Sequence, residues 1–338
     1  MACSFPMTAR RAEASSGPLA SGTQWTTKPE RGSATLLRMM AFVALRLGRR
    51  PARGILYCIA GYFFAFAPAA RRSAREYLRR ALGREPRARD RFRQVFAFAA
   101  TILDRFYLIR DPNALLRITA EGEEVMQQCL ARGRGAILLG SHMGSFEMPS
   151  AVGRRQSGLR VALAMYGHDT NRLAMELLRA SPAGAPEIIP LGHLDAMLRI
   201  RDCLDEGKFV GMLADRTVGD THAQVVSILG RPALFPSGPM RVAAALRRPA
   251  IFMTGLYRGG NHYHVVFRPL ADFSQPAPAG REAAVREAID RYVALLEEYA
   301  RTDPYNWFNF YDFWHGAPAL AATSARRPET DQARGGGA

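Results

Sequence analysis

The apolar run Ala136-Ile137-Leu138-Leu139 stands between Gly133-Arg134-Gly135 and Gly140. It is too short for a helix and reads as a buried strand. A polar loop follows, Ser141-His142-Met143-Gly144-Ser145-Phe146-Glu147, and then the pattern turns amphipathic. The order is therefore strand, loop, helix. At about 100° per residue, positions five apart on one straight helix point about 140° apart. His142 and Glu147 cannot meet on such a helix. They can meet if His142 lies in the loop and Glu147 in the first helical turns, with Gly144 allowing the tight path between. A carboxylate there would orient the imidazole and stabilise its protonated form, which suits a general base.

The alternation continues downstream. Leu159 to Tyr166 reads as a strand, Asn171 to Ala180 as a helix, Ile188 to Pro190 as a short strand and Leu194 to Asp205 as a helix. Lys208 to Ala214 is a strand ending at Asp215-Arg216, Ala250 to Leu256 and His262 to Phe267 close the sheet, and Arg281 to Tyr299 is a long amphipathic helix. Upstream, residues 73–110 are helical in pattern. This order predicts an α/β fold with a mixed, largely parallel sheet flanked by helices. Asp215 and Arg216 follow their strand as His142 follows its own. Ligand loops gather at that edge of an open α/β sheet, so the two groups are expected to share one cleft. Arg216 there can clamp a phosphate or carboxylate, while Asp215 can hold Arg216 or a sugar hydroxyl. A structural ion pair is the competing reading.

His142-x4-Glu147 straight after a strand resembles the catalytic motif of glycerolipid and lipid A acyltransferases. The flanks extend the likeness: Ile118-Thr119-Ala120-Glu121-Gly122, a helix to Arg132, then Gly133-Arg134-Gly135 and the strand. That arrangement resembles the late acyltransferases of lipid A biosynthesis, from about Leu36 to Trp314. The resemblance implies that His142 is the general base held by Glu147, and it places an Asp at position 215. It also implies a substrate pocket including Gly230, Ser237 and Gly238, since Leu229 to Pro239 is similar to the family's Gly-x-x-Ala…Gly-Pro block. From the residues alone, Ser237 is a good N-cap and Pro239 fits a first helical turn. Free N–H groups at that helix start could take a phosphopantetheine or lipid phosphate, or the turn could be purely structural.

The implied reaction moves an acyl chain from an acyl-carrier protein or acyl-CoA to a hydroxyl of a lipid or glycolipid, with no cofactor. A non-catalytic lipid-binding protein and a thioester or ester hydrolase are the alternatives. The nucleophile elbow of a serine hydrolase is absent, because Ser141 stands one position too early in Gly140-Ser141-His142-Met143-Gly144. The segment Tyr305 to Trp314 departs from the family, whose members typically carry a Trp followed by a basic cluster. Asn, Phe, Tyr and Asp stand there instead, which resembles a divergent branch associated with aryl-polyene pathways. This aromatic block could close the core or contact an acyl chain.

The net charge of +16, from 46 basic and 30 acidic residues, favours anionic partners: a membrane surface or an acidic carrier. Nucleic acid is not expected, since no zinc-finger, homeodomain or RNP-type motif appears. Cys3, Cys58, Cys129 and Cys203 are scattered, as in a reducing compartment, and no metal site is expected. His262 and His264 fall on one face of a strand without an identifiable third ligand. Gly54 to Ala70 carries no charge and lies between arginine clusters. It reads as an anchor in or on the membrane, with a buried core helix as the alternative. The expected organisation is a disordered tail over 1–33, an anchoring helical segment over 34–72, an acyltransferase domain over 73–316 and a disordered tail over 317–338. The expected location is the cytoplasmic face of a bacterial inner membrane.

Overall fold

A computed structural model describes residues 46, 48–110, 115–155, 159–166, 187–193, 195–217, 223–277 and 280–314. Both expected tails, nearly all of Leu36–Leu47 and the expected helix Asn171–Ala180 lie outside the described residues. Three helices come first: α1 (Arg49–Phe66), α2 (Pro68–Leu82) and α3 (Ala88–Arg110). Then follow β1 (Arg117–Glu121), α4 (Glu123–Ala131), β2 (Ile137–Gly140), α5 (Met148–Arg155), β3 (Val161–Tyr166) and β4 (Glu187–Leu191). The remainder is α6 (Ala196–Asp205), β5 (Phe209–Leu213), β6 (Ala223–Ile228), β7 (Arg231–Pro236), α7 (Gly238–Ala245), β8 (Pro249–Gly259), β9 (His262–Asp272) and α8 (Arg281–Thr302).

Seven strands form one sheet in the order β1-β9-β8-β2-β5-β3-β4. Only β8 and β9 pair antiparallel; every other pairing is parallel. The expected mixed, largely parallel sheet is thus present, although β8 lies beside β2 and the edge belongs to β1 and β4. In β2, Ile137 and Leu139 pack into one core cluster and Leu138 into the other, as alternation along a strand requires. The first cluster includes Ile289, Tyr292 and Leu296 of α8; the second includes Leu56 of α1 and Leu103 of α3. Helices therefore cover both faces, and the central strands β2 and β5 are apolar throughout.

The antiparallel hairpin β6–β7 has no counterpart in the sequence reading. Its two-residue turn is Leu229-Gly230, with φ of 52° and 77°. Two positive φ values define the turn type whose twist matches a hairpin. Gly230 thus has a backbone reason to be glycine.

The uncharged run Gly54–Ala70 is not one helix. It breaks at Ala67, because the residue before Pro68 is driven out of the helical region while proline suits the first turn of the next helix. The two helices meet at 94°, and among the described residues no single helix is long and apolar enough to cross a membrane. The bent pair meets that test by length and composition only. Ala52, Leu56 and Ala60 recur every four residues on the buried side of α1, whereas Ile55, Tyr57, Tyr62 and Phe66 are exposed.

Arginines fasten the start of α1 to the sheet. Arg49 donates twice to Asp104 of α3, both bonds at 2.8 Å, and the Tyr263 hydroxyl donates to the same carboxylate at 2.8 Å. Arg49 and Arg53 both donate to the Gly260 carbonyl in the β8–β9 turn. Asp104 is fully buried, so removing it leaves Arg49 without its main counter-charge. Asp104→Ala is expected to cost about 3–5 kcal/mol, the range for breaking a buried pair from one side. Urea unfolding of wild type and variant measures it.

Candidate active site

Register brings the site together. Strands β2 and β5 are parallel neighbours with Gly140 opposite Leu213, and the Ala214 N–H donates to the Gly140 carbonyl at 3.0 Å. Two residues beyond each strand end stand His142 and Asp215. His142 Nδ1 lies 2.9 Å from Asp215 Oδ1, and the His142 backbone N–H donates to Oδ2 at 2.9 Å. Trp307 Nε1 donates to Oδ2 at 3.0 Å. Asp215 has no exposed surface, whereas the His142 side chain is 25% exposed. With Nδ1 engaged, Nε2 is the nitrogen that can meet a substrate.

Burial alone would raise the Asp215 pKa. The adjacent His142 and Arg216 charges, with the hydrogen bonds from His142 and Trp307, outweigh it and hold the carboxyl well below the usual range. A permanent buried carboxylate on Nδ1 fixes the ring's orientation, sets the tautomer with Nε2 unprotonated and stabilises an imidazolium.

The loop carrying His142 is tied down on both sides. Phe308 N–H donates to the His142 carbonyl at 2.9 Å and Gly144 N–H donates to the Asn306 carbonyl at 2.8 Å. Ser145 N–H donates to the Gly255 carbonyl at 2.8 Å. Gly144 has φ of 66°, and a Cβ there would lie 2.1 Å from the Gly255 oxygen. Only glycine permits this approach.

Glu147 stands immediately before α5, near its expected place, but its carboxylate is not the partner of Nδ1. It accepts from the Ser145 hydroxyl at 2.9 Å and pairs with Arg105 Nε at 2.9 Å. The expectation that Glu147 holds His142 is corrected to Asp215. The physical reason is strand adjacency: Asp215 reaches Nδ1 from the neighbouring strand end, while Ser145 and Arg105 draw Glu147 elsewhere.

Arg216 donates to the Phe308 carbonyl at 3.3 Å, and its guanidinium lies 5.0 Å over the Tyr311 ring. It therefore braces the aromatic segment next to His142. Ser237 is buried at the start of α7, but its side chain makes no capping bond. It accepts from Arg241 Nε at 3.2 Å, which corrects its reading as a side-chain N-cap. Gly238 opens the same helix, with open space around its Cβ position. His262 and His264 share a face as expected, and both lie near Thr119 Oγ1, at 3.2 and 3.1 Å. Among the described residues no group of three potential metal ligands occurs.

Sequence reasoning missed Trp307 as a donor to the buried carboxylate and Arg105 as the partner of Glu147. Trp307 lay inside a segment already marked as unusual. Arg105 sits in a helix with a plain amphipathic pattern and gave no signal.

The family model described as bacterial lipid A biosynthesis acyltransferase matches residues 25–315. The comparison with curated proteins returned no match.

Proposed function

Because the chain belongs to the bacterial lipid A biosynthesis acyltransferase family, we propose that it transfers an acyl chain from a thioester donor to a hydroxyl of a lipid or glycolipid. His142 is the general base. Its Nε2 takes the proton of the acceptor hydroxyl, and the resulting alkoxide oxygen attacks the thioester carbonyl. The carbonyl re-forms as the carbon–sulfur bond breaks, and the thiolate leaves with the proton that His142 returns. No acyl-enzyme is needed. Asp215 positions His142 and stabilises the imidazolium formed between the two proton movements. Glu147, held by Ser145 and Arg105, shapes the loop, and Arg216 supports the segment beside it.

The observation that carries this reading is the pairing of a buried, ionised Asp215 with a partly exposed His142 at the carboxyl edge of the sheet. The donor is an acyl-carrier protein or acyl-CoA; the basic chain favours the acidic carrier. The test incubates purified protein with each acyl thioester and bacterial lipid extract, followed by mass spectrometry. A lipid heavier by one acyl group supports transfer. Free fatty acid alone would identify a hydrolase, and donor binding without turnover a lipid-binding protein.

The family is typically membrane-associated, and the exposed side of α1 is the surface proposed for that contact. Its exposed Ile55, Tyr62 and Phe66 fall on one side of the helix, and Arg50 and the Arg71-Arg72 pair flank them in sequence, a combination suited to the interface of an anionic membrane. Replacing Ile55, Tyr62 and Phe66 with Ser is expected to weaken binding to anionic vesicles by about tenfold or more, given the apolar area removed. Co-sedimentation at fixed salt measures it. Undiminished binding would place the contact elsewhere.

A further inference from the structure

Asn309 lies in the segment beside His142, is 1% exposed, and has no hydrogen-bond partner among the described residues for either Nδ2 or Oδ1. Two orphaned atoms on one buried amide are costly, because burial removes their water without replacing it. The surroundings fix which way this residue faces. Phe308 and Phe310 stack with ring centroids 6.5 Å apart, and both meet Phe98 of α3, at 5.2 and 5.4 Å. Trp307 and Tyr311 both meet Phe313 instead, at 4.8 and 6.1 Å. Trp307 donates to Asp215, and Tyr311 lies under Arg216. The ring contacts alternate in side along this stretch, which assigns Asn309 to the side of Trp307 and Tyr311, between the residues that contact Asp215 and Arg216.

We propose that Asn309 is a substrate-binding residue whose carboxamide pairs with a secondary amide of the substrate. The assignment rests on the acyl-transfer reading above. A carboxamide offers one donor group and one acceptor, and a secondary amide offers the complement, so one ligand group satisfies both orphaned atoms. Such an amide occurs in the pantetheine arm of an acyl thioester donor and in an N-acylated amino sugar acceptor. A site built to bind a polar group discriminates strongly against analogues lacking it, because its own buried atoms then stay unpaired.

The test measures binding by calorimetry, which needs no turnover. Two probes represent the two sources: S-decyl-pantetheine and N-decanoyl-glucosamine, each beside an analogue with ester in place of amide. Wild type is expected to bind one amide probe about tenfold more tightly than its ester analogue, the scale of a lost buried hydrogen bond. The probe that shows the preference identifies the source. Asn309→Leu, similar in size, is expected to abolish the preference while leaving the melting temperature unchanged or higher, since two unpaired polar atoms are removed. Asn309→Ala carries the same comparison if the Leu variant does not fold. An unchanged preference in a folded variant overturns the assignment. So does an equal affinity of wild type for amide and ester, or a lowered melting temperature in folded Asn309→Leu, which would show a structural role. If wild type binds neither probe nor turns over any thioester, the acyl-transfer reading itself fails. Turnover abolished by His142→Ala with no amide preference removes only Asn309.

Discussion

Replacing Asp215 with Asn is expected to lower kcat/KM about 10³-fold or more, the scale seen when the orienting carboxylate of a His–Asp pair is neutralised. The geometry explains why an isosteric change should act so strongly. Oδ2 accepts from two fixed donors, the His142 backbone N–H and Trp307 Nε1. In Asp215→Asn the amide oxygen must remain there to serve both. Its NH₂ group then faces His142 Nδ1, which can only accept. The imidazole proton moves to Nε2, the nitrogen that must be free to take a proton from the acceptor. Glu147→Gln provides the contrast. Glu147 accepts from Ser145 through one oxygen and pairs with Arg105 through the other. Gln keeps one acceptor oxygen and loses the charge, but neither contact reaches His142 Nδ1, so a loss of less than about tenfold is expected. Steady-state kinetics on both variants separates the two carboxylates. A larger loss in Glu147→Gln than in Asp215→Asn would return the orienting role to Glu147.

His142→Ala is expected to lower turnover by about 10²- to 10⁴-fold, the usual reach of general-base catalysis. The fold should survive, because a side chain that is one-quarter exposed contributes little core packing. The loop should also hold its course, since His142 keeps its backbone bonds to Asp215 and Phe308. Thioester consumption in the presence of lipid, beside a melting curve, measures both. Turnover within a few-fold of wild type would remove His142 from the chemistry.

Much of this site was legible before the structure. The strands ending at Gly140 and Leu213 were marked by apolar runs and glycines, so His142 and Asp215 could be assigned to one edge of the sheet. Which carboxylate reaches the imidazole was not legible, because that depends on β2 and β5 being neighbours in a particular register. Local reasoning therefore chose the nearer carboxylate, Glu147. The break at Ala67 was written in Pro68, but an uninterrupted run of uncharged residues hid it. The hairpin β6–β7 was missed because its turn uses Leu229 at positive φ, a conformation that an L-residue rarely takes and that its side chain does not announce. Asn309 stood within a segment that departs from the family, yet its two unpaired atoms emerge only from packing.

The most direct test of the Asp215–His142 pairing is the tautomer of neutral His142, read from the ¹⁵N chemical shifts of its ring. The chain has seven histidines, so His142→Ala identifies the relevant signals by their loss. In wild type and in Glu147→Gln, the proton is expected on Nδ1, donated to Asp215, with Nε2 bare. In Asp215→Asn the proton is expected on Nε2. A wild-type ring protonated at Nε2, or a tautomer that responds to Glu147→Gln and not to Asp215→Asn, would contradict the assignment of Asp215 as the residue that holds the base.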